Sequence, residues 1–240
     1  MRLFTVPGVF RPRSDSVMLA ELVVARAREG ETALDPFTGS GILAIAAAQS
    51  GAKTTAIDVS RRAVLCAAIN ARLNGVRLRA LRGDVFAPVS GERFDLIVAN
   101  PPYLPSEVDG PVRGAARAWE GGPDGRRLID RFLDQAPRHL TPGGELLMIH
   151  SSVCGEQATL GRLRAAGLEP SVIERRRGPI GPLLEPRIPE LEARGILEPG
   201  QREEELLVFS ARATGKGAAW PQPESPPTET APTSSAASSS

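Results

Sequence analysis

The chain has 240 residues, enough for one compact domain, and 29 Lys and Arg nearly balance 28 Asp and Glu, which argues against a polycationic nucleic-acid coat while leaving room for a local basic patch. Its two cysteines, Cys66 and Cys154, stand far apart with neither CxxC nor zinc spacing, so they read as reduced core residues of a cytoplasmic protein without a metal site. The opening MRLFTVPGVFRPRSD does not read as a signal peptide, and no stretch approaches the roughly 18 apolar residues of a membrane span.

Residues 16–28 carry Val17, Leu19, Ala20, Leu22, Val23 and Val24 at helical spacing, behind Ser14 or Asp15 as a candidate cap. Residues 32–36 read as a short strand entering a glycine turn, and residues 40–49 as a helix stopped by Gly51. Residues 53–58 form a strand, and Ser60 caps a helix that reaches Asn74 and stops at Gly75. Residues 77–82 and 94–99 are strands, the second running directly into Asn100-Pro101-Pro102-Tyr103. Residues 124–140 follow as a helix, 141–144 as a turn, 145–150 as a strand, 155–166 as a helix and 168–175 as a strand. The Pro-rich stretch 178–203 reads as a surface insertion with one short helix; together with Arg175-Arg176-Arg177 it is also a candidate for shaping an acceptor site. Residues 204–211 make the last strand. The Pro, Ser, Thr and Ala of residues 213–240 predict a disordered tail behind a domain of residues 1–212.

Strands alternating with helices predict an α/β fold with a doubly wound, mostly parallel sheet of seven strands. The runs LIVA and LLMI are apolar on both faces, as central strands of such a sheet require. Ligands of such sheets sit at the carboxyl ends of the strands, near the point where the strand order reverses. Every motif of the chain lies at such an end.

The first motif is Ala33-Leu34-Asp35-Pro36-Phe37-Thr38-Gly39-Ser40-Gly41 ahead of a helix. Gly39 and Gly41 allow a sharp turn, the helix start offers N–H groups to a carboxylate, and Asp35 is an acceptor for an ammonium. An amino-acid head group supplies both ions. No GK[ST] follows, which disfavours a nucleoside triphosphate. Asp58, at the next strand end, is placed for ribose hydroxyls, and Asp84-Val85-Phe86, after the third strand, for an adenine amine and its ring.

The fourth motif decides the chemistry. Asn is disfavoured in strands and two prolines cannot donate to a ladder, so Asn100-Pro101-Pro102-Tyr103 ends its strand rigidly. The nitrogen of an amide or a base amine is a poor nucleophile because its lone pair is delocalised. Two acceptors on its N–H bonds, the Asn100 side-chain oxygen and the Pro101 carbonyl, turn that lone pair toward an electrophilic methyl. The ring of Tyr103 stacks on the planar group, a task that does not need its hydroxyl.

These residues resemble the HemK/PrmC class of protein glutamine methyltransferases, which modify translation release factors. The resemblance runs from about residue 8 to residue 211, and includes Gly8-Val9-Phe10-Arg11-Pro12-Arg13-Ser14-Asp15-Ser16 and Arg117-Ala118-Trp119-Glu120-Gly121-Gly122-Pro123-Asp124-Gly125-Arg126. The second stretch is closest to the eukaryotic and archaeal branch, which lacks a helical N-terminal domain; here seven residues precede Gly8. The resemblance implies S-adenosylmethionine as cofactor, held by Ser16, Asp35, Asp58, Asp84 and Val85, with Phe37, Gly39 and Gly41 in the turn. It implies that Asn100, beside the cofactor, grips the substrate nitrogen, with Pro101, Pro102 and Tyr103 completing the catalytic loop, and that the partner is a protein, a release factor first. The turn DPFTGSG departs from the family, which often has glycine at position 37, and is more like amino-methyltransferases of DNA or RNA. A nucleic-acid acceptor is therefore the alternative, with Arg113, Arg117, Arg126, Arg127 and Arg175 to Arg177 as its charge and an unstacked base as its substrate.

Overall fold

The computed structural model describes residues 1–106, 116 and 118–213. The strands β1 (Thr32–Asp35), β2 (Lys53–Asp58), β3 (Arg79–Arg82), β4 (Phe94–Ala99), β5 (Leu140–Ser151), β6 (Leu168–Pro179) and β7 (Glu203–Ala213) form one sheet in the order β3-β2-β1-β4-β5-β7-β6. β7 pairs antiparallel with both β5 and β6, while the β1, β2, β3, β4 and β5 pairings are parallel. The strand order reverses between β1 and β4, so Asp35 and Asn100 stand side by side at the carboxyl edge.

Alternate residues of the central strands enter opposite cores, as the period of two requires. Ile97, Leu146 and Met148 meet Phe132 and Leu163 from helices α4 (Arg127–Gln135) and α5 (Glu156–Ala165) on one face. Leu96, Val98, Leu147 and Ile149 meet Met18, Leu19 and Leu43 from α1 (Ser14–Arg26) and α2 (Ile42–Gln49) on the other. Full burial of side chains of this size stabilises by about 1.5–3 kcal/mol each. Helix α3 (Arg61–Leu73) lies along β2 and β3, with Ser60 at its cap accepting from Ala63 N.

Several boundaries differ from the sequence expectation, two of them for a clear local reason. The helix predicted over 124–140 is shorter, because Pro137 has no N–H for the ladder; Ala136–His139 is a 3₁₀ turn and Leu140 already pairs with Phe94. The turn predicted at 141–144 becomes an irregularity inside β5, where pairing jumps from Phe94–Leu140 to Leu96–Glu145. Beyond the sheet, β6 and β7 continue as a two-stranded arm to the pair Pro179–Glu203. The segment between them holds a 3₁₀ turn (Glu185–Arg187), a short helix α6 (Ile188–Ala193) and a small core of Ile180, Leu184, Ile188, Leu191 and Leu197.

The N-terminal segment is tied to α3 by two asparagines. Asn74 receives Arg2 N at 2.8 Å and donates to Arg2 O at 2.7 Å; Asn70 does the same with Phe4, at 2.8 Å each way. The Asn70 amide also donates to Ser40 O in the glycine turn, at 2.8 Å. Among the described residues no helix is long and apolar enough to cross a membrane. Of the expected tail, Ala213 is the last residue of β7 and residues 214–240 lie outside the described residues.

Candidate active site

The first half of the site follows β1. Gly39 and Gly41 have φ of 50° and 90°. A Cβ on Gly41 would stand 3.0 Å from the Ala67 backbone, so a side chain there would crowd α3 as well as strain the positive φ. Asp58, at the end of β2, accepts from Gly39 N at 3.0 Å and from Ser60 N at 2.8 Å, holding the turn and the start of α3 together. Asp35 is fully buried; its Oδ1 accepts from Phe37 N at 3.3 Å, but its Oδ2 and the nearby Thr38 Oγ1 have no partner. Burial lifts the Asp35 carboxyl from 3.8 to about 7, with the neighbouring Asp58 adding to the rise; the Thr38 hydroxyl, near but without a well-formed hydrogen bond, and the Phe37 N–H moderate it. The ring of Phe37 packs edge-on against Phe132, 5.8 Å between centroids.

After β3, Val85 is buried at φ 49°, a left-handed conformation that costs a β-branched residue about 1–3 kcal/mol. Asp84 is half exposed and takes two hydrogen bonds from Arg131, at 3.0 and 2.7 Å. Phe86, expected beside an adenine ring, is instead committed to the core, stacked on Phe132 and on His139.

The second half of the site is the loop after β4. Asn100 Nδ2 donates to Asp15 Oδ2 and to Ser16 Oγ, both at 3.1 Å. Tyr103 Oη donates to the same Asp15 oxygen at 3.1 Å. Burial, with the Asp15 charge, pushes the Tyr103 phenol well above its ordinary range, so it stays a donor. Its hydroxyl, which ring stacking leaves idle, therefore has a task of its own. The Trp119-Glu120-Gly121-Gly122 stretch straps this loop: Leu104 N donates to Trp119 O and Gly121 N to Leu104 O, both at 2.8 Å. A Cβ on Gly125 would stand 2.3 Å from Tyr103 O, so glycine alone lets the strap close. Cys154, buried and with its thiol pushed up by burial, donates to that same carbonyl at 3.1 Å.

A cavity of about 410 Å³ opens between this loop and the arm. Asn100, Pro101, Pro102 and Tyr103 line one side; Ile180 to Leu184 line the other, with Phe10 and Trp119 also at its wall. The insertion thus forms a wall of the cavity. Glu204 fixes its lip, accepting from Gly181 N at 2.7 Å and from the Ser151 hydroxyl. Arg187 braces it from behind, donating to Pro105 O at 2.7 Å and to Glu120.

The arginines offered as a basic groove are divided: Arg176 and Arg177 line the cavity, and others turn away from it. Arg126 is largely buried and donates to Cys154 O, Gly155 O, Thr159 and Asp130; Thr159 in turn donates to His150, which burial lowers to about 4 and keeps neutral. Arg175 pairs with Glu156 and Glu205, and Arg177 with Glu203. Arg113 and Arg117 lie outside the described residues. Sequence reasoning missed Asp15, seen only as a cap, and Glu204; both act through partners distant in sequence.

The methyltransferase small domain family matches residues 1–111. A chain of Methanocaldococcus jannaschii assigned as a protein N5-glutamine methyltransferase is 34% identical over 180 residues, covering 74% of this chain and 90% of that one. The chain belongs to the protein N5-glutamine methyltransferase family. It is a methyltransferase. The release factor glutamine methyltransferase of Geobacter sulfurreducens is 32% identical over 67% of this chain, which spans only 59% of that enzyme's length. In fold, this methyltransferase superposes on a chain of the E. cuniculi Mtq2–Trm112 complex, responsible for methylation of the termination factor eRF1, with a TM-score of 0.61 at 21% identity, over 86% of this chain and 99% of that one. The architecture is that of class I S-adenosylmethionine-dependent methyltransferases.

Proposed function

We propose that this methyltransferase carries a methyl group from S-adenosylmethionine to the side-chain amide nitrogen of a glutamine on a protein, a translation release factor being the first candidate. The cavity carries the reading. It is a mostly apolar pocket that ends at Asn100, suited to one inserted side chain. Arg13, Arg176 and Arg177 stand at its wall, Arg177 paired with Glu203, but the wall from Ile180 to Leu184 is apolar and favours a side chain over a phosphate backbone.

The donor half fits the cofactor. The buried, partnerless Asp35 Oδ2 complements an ammonium, and the N–H groups at the start of α2 complement a carboxylate. Asp58 is placed for the ribose, Asp84 and Val85 for the base, with Ser16 at the methyl end beside Asn100. Bound there, S-adenosylmethionine supplies an electrophilic methyl on a sulfonium. The chain's own part is to seat the amide. Asn100 Oδ1 and the Pro101 carbonyl accept its two N–H bonds, Pro101 and Pro102 hold that carbonyl fixed, and the Tyr103 ring lies against the amide plane. As the nitrogen leaves conjugation its N–H bonds become better donors, so these contacts strengthen toward the transition state.

Label transfer from tritiated S-adenosylmethionine tests the reading, with a release factor and a single-stranded oligonucleotide as competing acceptors. Label on a glutamine amide of the release factor is expected. Asn100→Ala should lower kcat by about 10²-fold or more at nearly unchanged cofactor Kd. Label in the oligonucleotide alone, or near-normal turnover by Asn100→Ala, would refute it.

A further inference from the structure

We infer that Asp15 is a positioning residue that decides which end of the Asn100 amide faces the acceptor pocket. The inference rests on the acceptor role just given to Asn100. The two ends of an asparagine amide match in shape and are opposite in hydrogen-bonding sense. Only the oxygen serves an incoming NH₂ group; the nitrogen would set donor against donor. A side chain free to rotate by half a turn would spend part of its time in the useless state.

The surroundings of Asn100 remove that freedom. The Asp15 carboxylate can only accept, so the amide atom 3.1 Å from its Oδ2 must be the nitrogen. Ser16 Oγ, also 3.1 Å away, takes the second amide hydrogen. With both Nδ2 hydrogens engaged, Oδ1 is the end left to the substrate. Asp15 is itself held: its Oδ1 accepts from Ser16 N at 2.6 Å, and its Oδ2 also receives Tyr103 Oη at 3.1 Å. It is 6% exposed, at the start of α1, and 85 positions before Asn100 in the chain. A rigid helix end therefore sets the polarity of the catalytic loop, and the phenol of Tyr103 is pinned by the same oxygen.

The decisive variant is the isosteric one. In Asp15→Asn the Ser16 N–H keeps the new oxygen, because it too requires an acceptor. The new NH₂ then faces Asn100 and Tyr103 and turns the Asn100 amide over. Asp15→Asn should lower kcat by about 10²-fold, with cofactor Kd changed by less than about twofold. Asp15→Ala removes the acceptor without adding a donor, leaves Ser16 to orient the amide, and should turn over about tenfold faster than Asp15→Asn. A role in packing alone gives the opposite order, since the isostere is then the milder change. Asp15→Asn should add nothing to the defect of Asn100→Ala.

A second measurement needs no acceptor. The chain has three asparagines, Asn70, Asn74 and Asn100, so ¹⁵N-asparagine labelling gives three side-chain NH₂ pairs. The Asn100 pair, identified by its loss in Asn100→Ala, and in Asp15→Asn, which adds a fourth pair, by its loss in the double variant, should be protected from exchange in the wild type and become unprotected and shifted in Asp15→Asn. Turnover by Asp15→Asn equal to or above that of Asp15→Ala, or an unchanged Asn100 pair, overturns the inference. If the wild type methylates no glutamine, the acceptor reading fails by itself, and the NH₂ signals still decide whether Asp15 orients Asn100.

Discussion

Replacing Asp35 by asparagine should stabilise the ligand-free protein above pH 7 and weaken it near pH 4. Burial, the main cause, lifts this carboxyl from 3.8 to about 7 in the folded state. The folded protein thus binds the proton more tightly than the unfolded chain, and stability falls as pH rises from about 4 to about 7, then levels off. A shift of about 3 units at about 1.36 kcal/mol each makes the ionised carboxylate cost about 4 kcal/mol at pH 8. Asparagine carries no charge and escapes that loss. Its NH₂ group, in a place where Oδ2 has no partner, costs about 1–3 kcal/mol at every pH. The difference between variant and wild type should therefore swing by about 4 kcal/mol between pH 4 and pH 8, or about 8–16 °C in Tm. Thermal melts of both proteins across that range measure it. Parallel Tm curves would refute the reasoning. In the wild type, cofactor binding should also tighten as pH rises through 7, because the ionised Asp35 is the form that pairs with an ammonium; in Asp35→Asn that dependence should vanish.

Asn70→Ala strips Phe4 N, Phe4 O and Ser40 O of their partner and should cost about 2–4 kcal/mol, read as a lower Tm together with faster exchange of the Phe4 amide. Asn100→Asp still accepts but sets a negative charge beside Asp15 and the sulfonium; its kcat should fall between those of wild type and Asn100→Ala in the same methyl-transfer assay. Ending the chain at Ala213, where β7 ends, should leave cofactor Kd and kcat unchanged, since the composition beyond it cannot supply a core; lost turnover would show that the removed residues reach the substrate.

What the sequence made legible was local. Residues 53–58 and 94–99 are strands as read, and the acidic residues at strand ends do collect on one edge, because alternating apolar runs and glycine stops are written in contiguous residues. What it hid was long-range. Asp15 looks like a helix cap from its neighbours, and only the fold shows that its partners are Asn100 and Tyr103. Asp84 reads locally as a base ligand, and only the fold shows that Arg131 on α4 also pairs with it. Phe86 and Arg126 carry side chains typical of sites, and burial sends both inward. The insertion has seven Ile and Leu from Ile180 to Leu197, but Pro182, Pro186 and Pro189 break the segment into short turns, so no long periodic run announced its small core.

The arm formed by β6 and β7 has an evolutionary implication. The residues proposed to hold the methyl donor lie before position 101, whereas the outer wall of the cavity hangs from the two last strands and is fastened by Glu204. That wall has apolar packing of its own, so pocket-facing positions such as Leu183 can drift without unsettling the sheet. Lineages could therefore exchange one acceptor for another by rewriting some twenty-five residues while inheriting the transfer chemistry untouched, much as a lathe takes a new chuck.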